Sequence, residues 1–489
     1  MRRVLVLALS LAALLAPAAA AASPPSLVVK GNRLLDARTG ATFVPRGVNW
    51  PSFEYACAYG YGYSNEAGPG SVGPTAAQAA LIASWHANTV RVPLNEDCWL
   101  GSSGMPAGGL TATGYQNAVA AWVDKLGEAG LAVILDLHWS APVGFPALGQ
   151  RMMADDQAPA FWTSVANRFK ANPGVMFDLF NEPYSRSFEG GPNFPLSWSC
   201  WREGGCIAPQ QNDEEEPFNN VVFKVTGMQA MLNAVRGTGA TQPVLLGGLD
   251  YANDLRGWLA SRPADPGLVA SFHNYDGQRC ETVACWNAEI APVAAKVPVI
   301  TGEFGETDCS EAHDNSYMEW ADSHGVGYLM WQWVVLGPSE LASPPCRSLR
   351  IISDTAGTPA FPNGTALRNH LAALAGEVLA PGGPSAPGPG AAADRTAPTL
   401  RGISVRRQHG KLRLTLTLSE PATVSLKLAR RNGHRFRQVA ASQRRLGAGK
   451  QQLTVTRKRL TAGRYRLTLR ATDASGNRSG TRVIGFRLG

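Results

Sequence analysis

Eight short apolar runs rich in β-branched residues recur between helix-like stretches from residue 44 to residue 333, and this alternation constrains the fold more than any other feature of the chain. The runs are Val44 to Trp50, Val90 to Pro93, Leu131 to His138, Val175 to Glu182, Pro243 to Gly248, Val269 to Tyr275, Pro298 to Gly305 and Gly327 to Trp333. Helices are expected between them, at Ala76 to His86, Gln116 to Ala129, Ala158 to Ala171, Asn219 to Arg236 and Asn315 to His324. Repeated βα units of this kind build a parallel sheet, and eight of them predict an α/β fold of the (β/α)8 TIM-barrel type. A leading hairpin, Leu27 to Phe43, would close the bottom of the barrel.

The pattern stops at the segment 380–394, a Pro/Gly/Ala stretch without side chains able to build a core, which reads as a linker. Beyond it, apolar and polar residues alternate in short runs separated by turn signals, so residues 395–489 are expected to form a small all-β sandwich of about seven antiparallel strands. Charge divides at the same place. From Asp394 to Gly489 there are 23 Lys and Arg against 3 Asp and Glu, a net of +20, which leaves −12 for the rest of a chain whose total is +8. All 13 Trp and all 8 Cys precede the linker.

Residues 1–22 have the layout of a signal peptide: Arg2 and Arg3, an apolar run from Val4 to Ala16, then small residues. The run is shorter than the roughly 20 residues a membrane span needs, so no transmembrane anchor is expected and the protein is expected to be secreted, free or wall-associated. An even cysteine count in an exported chain favours disulfides. Cys200 with Cys206 and Cys280 with Cys285 are close enough to staple single loops; Cys57 with Cys98 and Cys309 with Cys346 are the simplest remainder, although spacing alone leaves connectivity open. No CxxC pair or His-rich partner supports zinc, and neither a metal nor a cofactor is expected.

In such a barrel the chemistry sits at the C-terminal ends of the strands. The polar residues that close the runs form a set: Arg91 in the second, Asp136 and His138 in the third, Asn181 and Glu182 in the fourth, His273 and Tyr275 in the sixth, Glu303 in the seventh and Trp331 in the eighth. Two carboxyl groups, Glu182 and Glu303, meet the needs of glycosidic cleavage. The leaving oxygen must be protonated, and the cationic transition state needs a carboxylate beside the anomeric carbon.

Asn181-Glu182-Pro183, His273-Asn274-Tyr275 and Gly302-Glu303-Phe304-Gly305 resemble glycoside hydrolase family 5, and Arg91, the Asp136-Leu137-His138 ending and Trp331 match its remaining active-site positions in order. The resemblance runs from Leu27 to about Leu374 and implies a cellulase-like retaining enzyme with Glu182 as acid/base and Glu303 as nucleophile, in a catalytic domain spanning 23–379. It further implies that Asn181 bonds the sugar 2-hydroxyl, that Arg91 and Tyr275 hold Glu303 ionised, that His138 and His273 contact sugar hydroxyls or tune the acid/base, and that Trp331 gives the pyranose ring a flat face. The Asp473-Ala-Ser-Gly-Asn477 ending of the tail resembles bacterial Ig-like or fibronectin-type modules.

Two departures bear on the substrate. The insertion Tyr184 to Pro217 carries Phe188, Phe194, Trp198, Trp201 and the acidic run Asp213 to Glu216; its aromatics are expected to wall the substrate groove, and the acidic run to begin a helix. A Tyr-rich loop, Tyr55 to Tyr63, also faces the active side. The expected function is a secreted endo-β-glycosidase acting on a β-glycan, β-1,4-glucan first, with β-mannan, β-1,3-glucan or a glycolipid as alternatives. A non-catalytic glycan-binding or wall-adhesion protein is the reading from another class. The basic tail has no aromatic row for crystalline polysaccharide, and its charge favours an anionic cell-wall polymer over any specific nucleic acid.

Overall fold

A computed structural model describes residues 23–60, 62–63, 73–187, 193–211, 219–336, 341–342, 344–377, 397–408, 411–419, 422–432, 435–446, 449–455, 462–472 and 478–488. The expected signal segment 1–22, the linker 380–394, Phe188, the acidic run 213–216 and the 473–477 motif lie outside them. The chain divides into two compact units, Met1–Leu379 and Ala380–Gly489.

In the first unit eight parallel strands close into a barrel. They are β1 (Arg46–Asn49), β2 (Thr89–Asn95), β3 (Ala132–Trp139), β4 (Val175–Asp178), β5 (Val244–Gly247), β6 (Leu268–Tyr275), β7 (Val299–Gly305) and β8 (Gly327–Met330). Each falls within or overlaps one of the eight apolar runs. Helices that include Ala76–Ser84, Ala112–Glu128, Ala158–Phe169 and Ala312–His324 surround them. One expected helix is different: Asn219 to Arg236 splits into a strand, Val222–Thr226, and a helix, Met228–Gly237. The reason is local. Phe223 and Val225 are buried while Val222 and Lys224 are exposed, a period-two pattern that pairs antiparallel with Gly204–Pro209.

Period two also sorts the barrel interior into layers. Ala132, Ile134, Met176, Leu245, Val269, Ile300 and Leu329 form an apolar floor, against which Leu27 and Leu34 of the leading hairpin are buried. One or two inward positions further along the same strands come Asp136, Asp178, Ser271 and His273. The alternate residues, among them Val133, Leu135, Phe177, Ala270 and Phe272, face the outer core. A dry floor thus carries a polar layer toward the strands' C-terminal ends.

Four disulfides, Cys57–Cys98, Cys200–Cys206, Cys280–Cys285 and Cys309–Cys346, tie loops of this unit. Among the described residues no helix is long and apolar enough to cross a membrane. In the second unit, among the described residues, seven antiparallel strands form a three-stranded and a four-stranded sheet, and Leu and Val from both build one core.

Gly47 tests the tightness of barrel closure. A Cβ there would stand 1.8 Å from the backbone carbonyl oxygen of Thr89, its partner on β2. Because backbone cannot yield as a side-chain end can, Gly47→Ala is expected to cost about 3 kcal/mol or more, read as a lowered denaturation midpoint. An unchanged midpoint would show that β1 and β2 can separate freely.

Candidate active site

Arg91 lies at the centre of the polar layer, fully buried on β2. Its Nε donates to Asp178 Oδ2 at 3.2 Å, and its Nη1 to Glu303 Oε1 at 2.8 Å and to Asn49 Oδ1 at 3.1 Å. Its Nη2 donates to Asn181 Oδ1 at 2.7 Å and lies 3.0 Å from Asp136 Oδ2. A guanidinium has five N–H groups, so this one is saturated by five acceptors. Burial works against its charge, but the carboxylates of Asp136, Asp178 and Glu303 outweigh that and raise its pKa.

Glu303 reaches this layer through an irregularity. Along β7, Ile300 points inward and Thr301 outward, where it bonds Tyr317; strict alternation would turn Glu303 out. A register shift places Glu303 opposite His273 instead, and such bulges re-aim side chains beside functional sites. Gly302 permits it, since a Cβ there would lie 2.8 Å from His273 Nε2. Tyr275 Oη then donates to Glu303 Oε2 at 2.7 Å. Glu303 therefore receives a cationic donor on one oxygen and a neutral donor on the other.

Glu182 stands four residues beyond β4, held by a bond from Gln150 Nε2 to its backbone oxygen at 2.8 Å. Gln150 also bonds the Asn181 amide, whose other end takes the Arg91 proton. The Glu182 carboxyl faces His273, with Oε1 at 2.9 Å from Nδ1. Burial drives the His273 pKa down to about 3, partly opposed by Glu303, so the ring is neutral and can either give or take this hydrogen bond. One carboxylate oxygen of Glu182, one of Glu303 and a His273 nitrogen all lie within 4.8 Å of one another. That gap is close to the roughly 5–5.5 Å at which one carboxylate can attack a sugar carbon directly while the other serves the leaving oxygen, and it is short of the roughly 6.5–9.5 Å that admits an attacking water between carboxylate and sugar. The same spacing could hold a cation, but Glu303 is already engaged by Arg91 and Tyr275.

His138 bonds Asp136 Oδ2 through Nδ1 at 2.7 Å, and its ring lies parallel to Trp331 with centroids 5.6 Å apart. The eight expected residues Arg91, His138, Asn181, Glu182, His273, Tyr275, Glu303 and Trp331 are thus linked by contacts at one end of the barrel. Sequence reasoning missed Asn49, Gln150, Asp178 and Glu54. Asn49, next to the end of its run, and Asp178, midway along its run and last in β4, both sit at inward parity, a signal the sequence carries; Gln150 lies in a loop and carries none.

The described aromatics of the insertion, Phe194, Trp198 and Trp201, do not behave as expected. Phe194 and Trp201 are buried in the outer core, and Trp201 Nε1 donates to the Gly247 carbonyl at 2.8 Å. Trp198 packs on Trp201 at 5.2 Å rather than standing as a wall. Their bulk is used to anchor the insertion to β5, where burial of a ring gains more than exposure. In the Tyr-rich loop, Tyr55 and Tyr59 approach Trp139 at 6.4 and 6.2 Å.

Residues 44–336, more than half of the chain, match the profile of the cellulase family, glycosyl hydrolase family 5. A manganese-dependent endoglucanase of Phanerodontia chrysosporium is 24% identical over 207 residues, which cover 42% of this chain and 44% of that protein. A mannan endo-1,4-beta-mannosidase of Streptomyces lividans is 24% identical over 316 residues, covering 63% and 64%. The chain therefore spans less than two thirds of the length of either relative. A β-glucanase from Saccharophagus degradans, solved with cellotetraose, shares the fold at a TM-score of 0.52 and 20% identity, covering 72% of this chain and 94% of that one.

Three buried carboxyls around Glu303 set a pH dependence. Burial raises Asp178 to about 8 and Asp136 to about 7, each partly offset by Arg91, and burial raises Glu54 to about 8. The fold keeps protons that the unfolded chain releases near pH 4, so stability falls as pH rises from about 4 to 8, by up to about 1.4 kcal/mol per pH unit for each such proton. Asp178→Asn should flatten that decline in a plot of denaturation midpoint against pH. An unchanged slope would mean that Asp178 is ionised throughout.

Proposed function

The chain belongs to glycosyl hydrolase family 5, and from that premise we propose that it is a secreted, retaining endo-β-glycosidase that cleaves a β-glycan, β-1,4-glucan first, by double displacement. The observation that carries the proposal is the gap of at most 4.8 Å between the Glu182 and Glu303 carboxyl oxygens. Glu303, oriented by Arg91 and Tyr275, attacks the anomeric carbon as the carboxylate and forms a glycosyl ester. Glu182 gives its proton to the departing oxygen, then takes one from the water that attacks the ester. Neutral His273 can accept or return a hydrogen bond as Glu182 changes protonation without adding a charge of its own. Asn181, its side-chain oxygen fixed by Arg91, presents its amide for the sugar 2-hydroxyl, and Trp331, backed by His138, offers an apolar face to the ring.

Export is supported by residues 1–22 together with the four disulfides. We read 23–379 as the catalytic domain, 380–394 as a linker and 395–489 as an Ig-like or fibronectin-type module, the last supported by its seven antiparallel strands. The mannosidase relative favours β-mannan as the second substrate to try.

Replacing Glu182 by Ala should lower turnover of a natural β-glycan by about 10²–10⁴-fold. An aryl β-glycoside, whose leaving group needs no proton, should lose far less in its first step. Glu303→Ala should abolish both. Equal losses for Glu182→Ala on the two substrates would overturn the acid/base assignment, and hydrolysis no lower in Glu303→Ala than in the unaltered protein would overturn the nucleophile.

A further inference from the structure

The four-stranded sheet of the second unit comprises Ala422–Asn432, Arg435–Leu446, Gly463–Thr472 and Arg482–Leu488. Its inner face is Val424, Leu426, Leu428, Tyr465, Leu467 and Leu469, all buried. By alternation the outer face carries Lys427 and Arg431 on one strand, Arg464, Arg466 and Arg470 on its neighbour, and Arg487 on the edge strand, and all six are exposed. Ser425, Ala429 and Gly485 fill positions between them, so the cations stand above short residues. Arg464 and Arg487 are direct cross-strand partners. Like charges placed opposite one another destabilise a sheet, and a face shaped for solubility alone mixes signs. Here none of the seven strands of the unit contains an Asp or Glu. Among the described side chains, the outer face of the three-stranded sheet carries Arg401, Arg413 and Lys450.

We propose that this outer face of the four-stranded sheet docks an acidic polysaccharide, a chain bearing a carboxylate on successive sugars, and so holds the enzyme on glycan-rich surfaces. Guanidinium forks match carboxylates in bidentate fashion. Two positions apart along a strand they repeat at about 6.8 Å, and across strands at about 4.8 Å, a grid of cations facing a polymer of anions. The chemistry of the face argues against two other polyanions. Single-stranded nucleic acid is held by stacking on open aromatic rings, whereas the one described aromatic on this face, Phe436, is covered by the Arg466 guanidinium at 4.1 Å. A membrane surface calls for apolar insertion beside the charge, and Val483 is the one large apolar side chain strongly exposed on this sheet among the described residues. The proposal does not depend on which β-glycan the barrel cleaves.

The full chain and two charge-matched variants test it. One is Arg464→Gln/Arg466→Gln/Arg470→Gln; the other is Arg401→Gln/Arg413→Gln/Lys450→Gln on the opposite sheet. Binding to immobilised polygalacturonate at low salt should fall at least about tenfold in the first and under about threefold in the second, and should weaken as salt is added. Hydrolysis of a soluble β-glycan should be the same in all three, which separates this docking from the catalytic reading. Equal losses in the two variants, or none, would overturn the assignment of the face. Tighter binding of duplex DNA or phosphatidylserine vesicles than of polygalacturonate at the same salt would overturn the assignment of the partner. If the first triple variant fails to fold, Arg464→Gln and Arg470→Gln singly should each weaken binding two- to threefold, and unchanged binding in both would refute the proposal.

Discussion

The structure turns on one wholly buried guanidinium. Arg91 draws its five acceptors from β1, β3, β7, β4 and the segment just beyond β4, so the closure of the barrel and the assembly of its site are a single interaction. Taking a cation out of water costs several kcal/mol, and only complete satisfaction by charged and polar acceptors offsets it. The converse matters as much. Without that cation, Asp136, Asp178 and Glu303 would be left as three buried carboxyls with no countercharge. An Arg91→Lys exchange would not serve, because a point charge with three donors cannot span five acceptors in a plane.

From that hub follows the difference between the two glutamates. Glu303 is gripped by Arg91 on one oxygen and by Tyr275 on the other, which fixes its direction. Glu182 meets an imidazole that burial keeps uncharged. A cationic histidine there would hold Glu182 as a permanent anion and deny it a proton to give. Burial is what pushes the Asp178 and Asp136 carboxyls up, and Arg91 offsets it only in part. Arg91 divides its donors among three carboxyl groups, and Glu303 is the one that Tyr275 also holds.

The two units divide their electrostatic tasks along the same line as their folds. The barrel gathers acid inside and is net acidic, as suits a site that stabilises positive charge developing on a sugar. The sandwich puts its cations outside, on strands whose inner positions are almost wholly apolar. Its core needs no polar network, so its outward positions are free of structural duty and can be given over to one sign of charge.

Most of the barrel could be read from the sequence because its strands obey period two: eight apolar runs became eight strands, and the polar residues closing them came to one mouth. Where reading failed, a local rule had been broken by a tertiary one. The stretch from Val222 to Thr226 reads as helix because it leads into one, yet its burial alternates and it pairs with Gly204–Pro209. The aromatics of the insertion looked like groove residues because rings bind sugars, but Trp201 and Phe194 serve as anchors. Glu303 is the instructive case. It could be located by its neighbours in the chain, but counting inward and outward positions from Ile300 turns it away from the site. The residue before it resolves the conflict. Gly302 lacks the Cβ that would strike His273, so the strand can slip one position there and present two successive residues to the interior. A glycine in the middle of a buried strand, directly before a carboxylate, is the signal for that slip, because it weakens the strand unless the backbone must do something other side chains forbid.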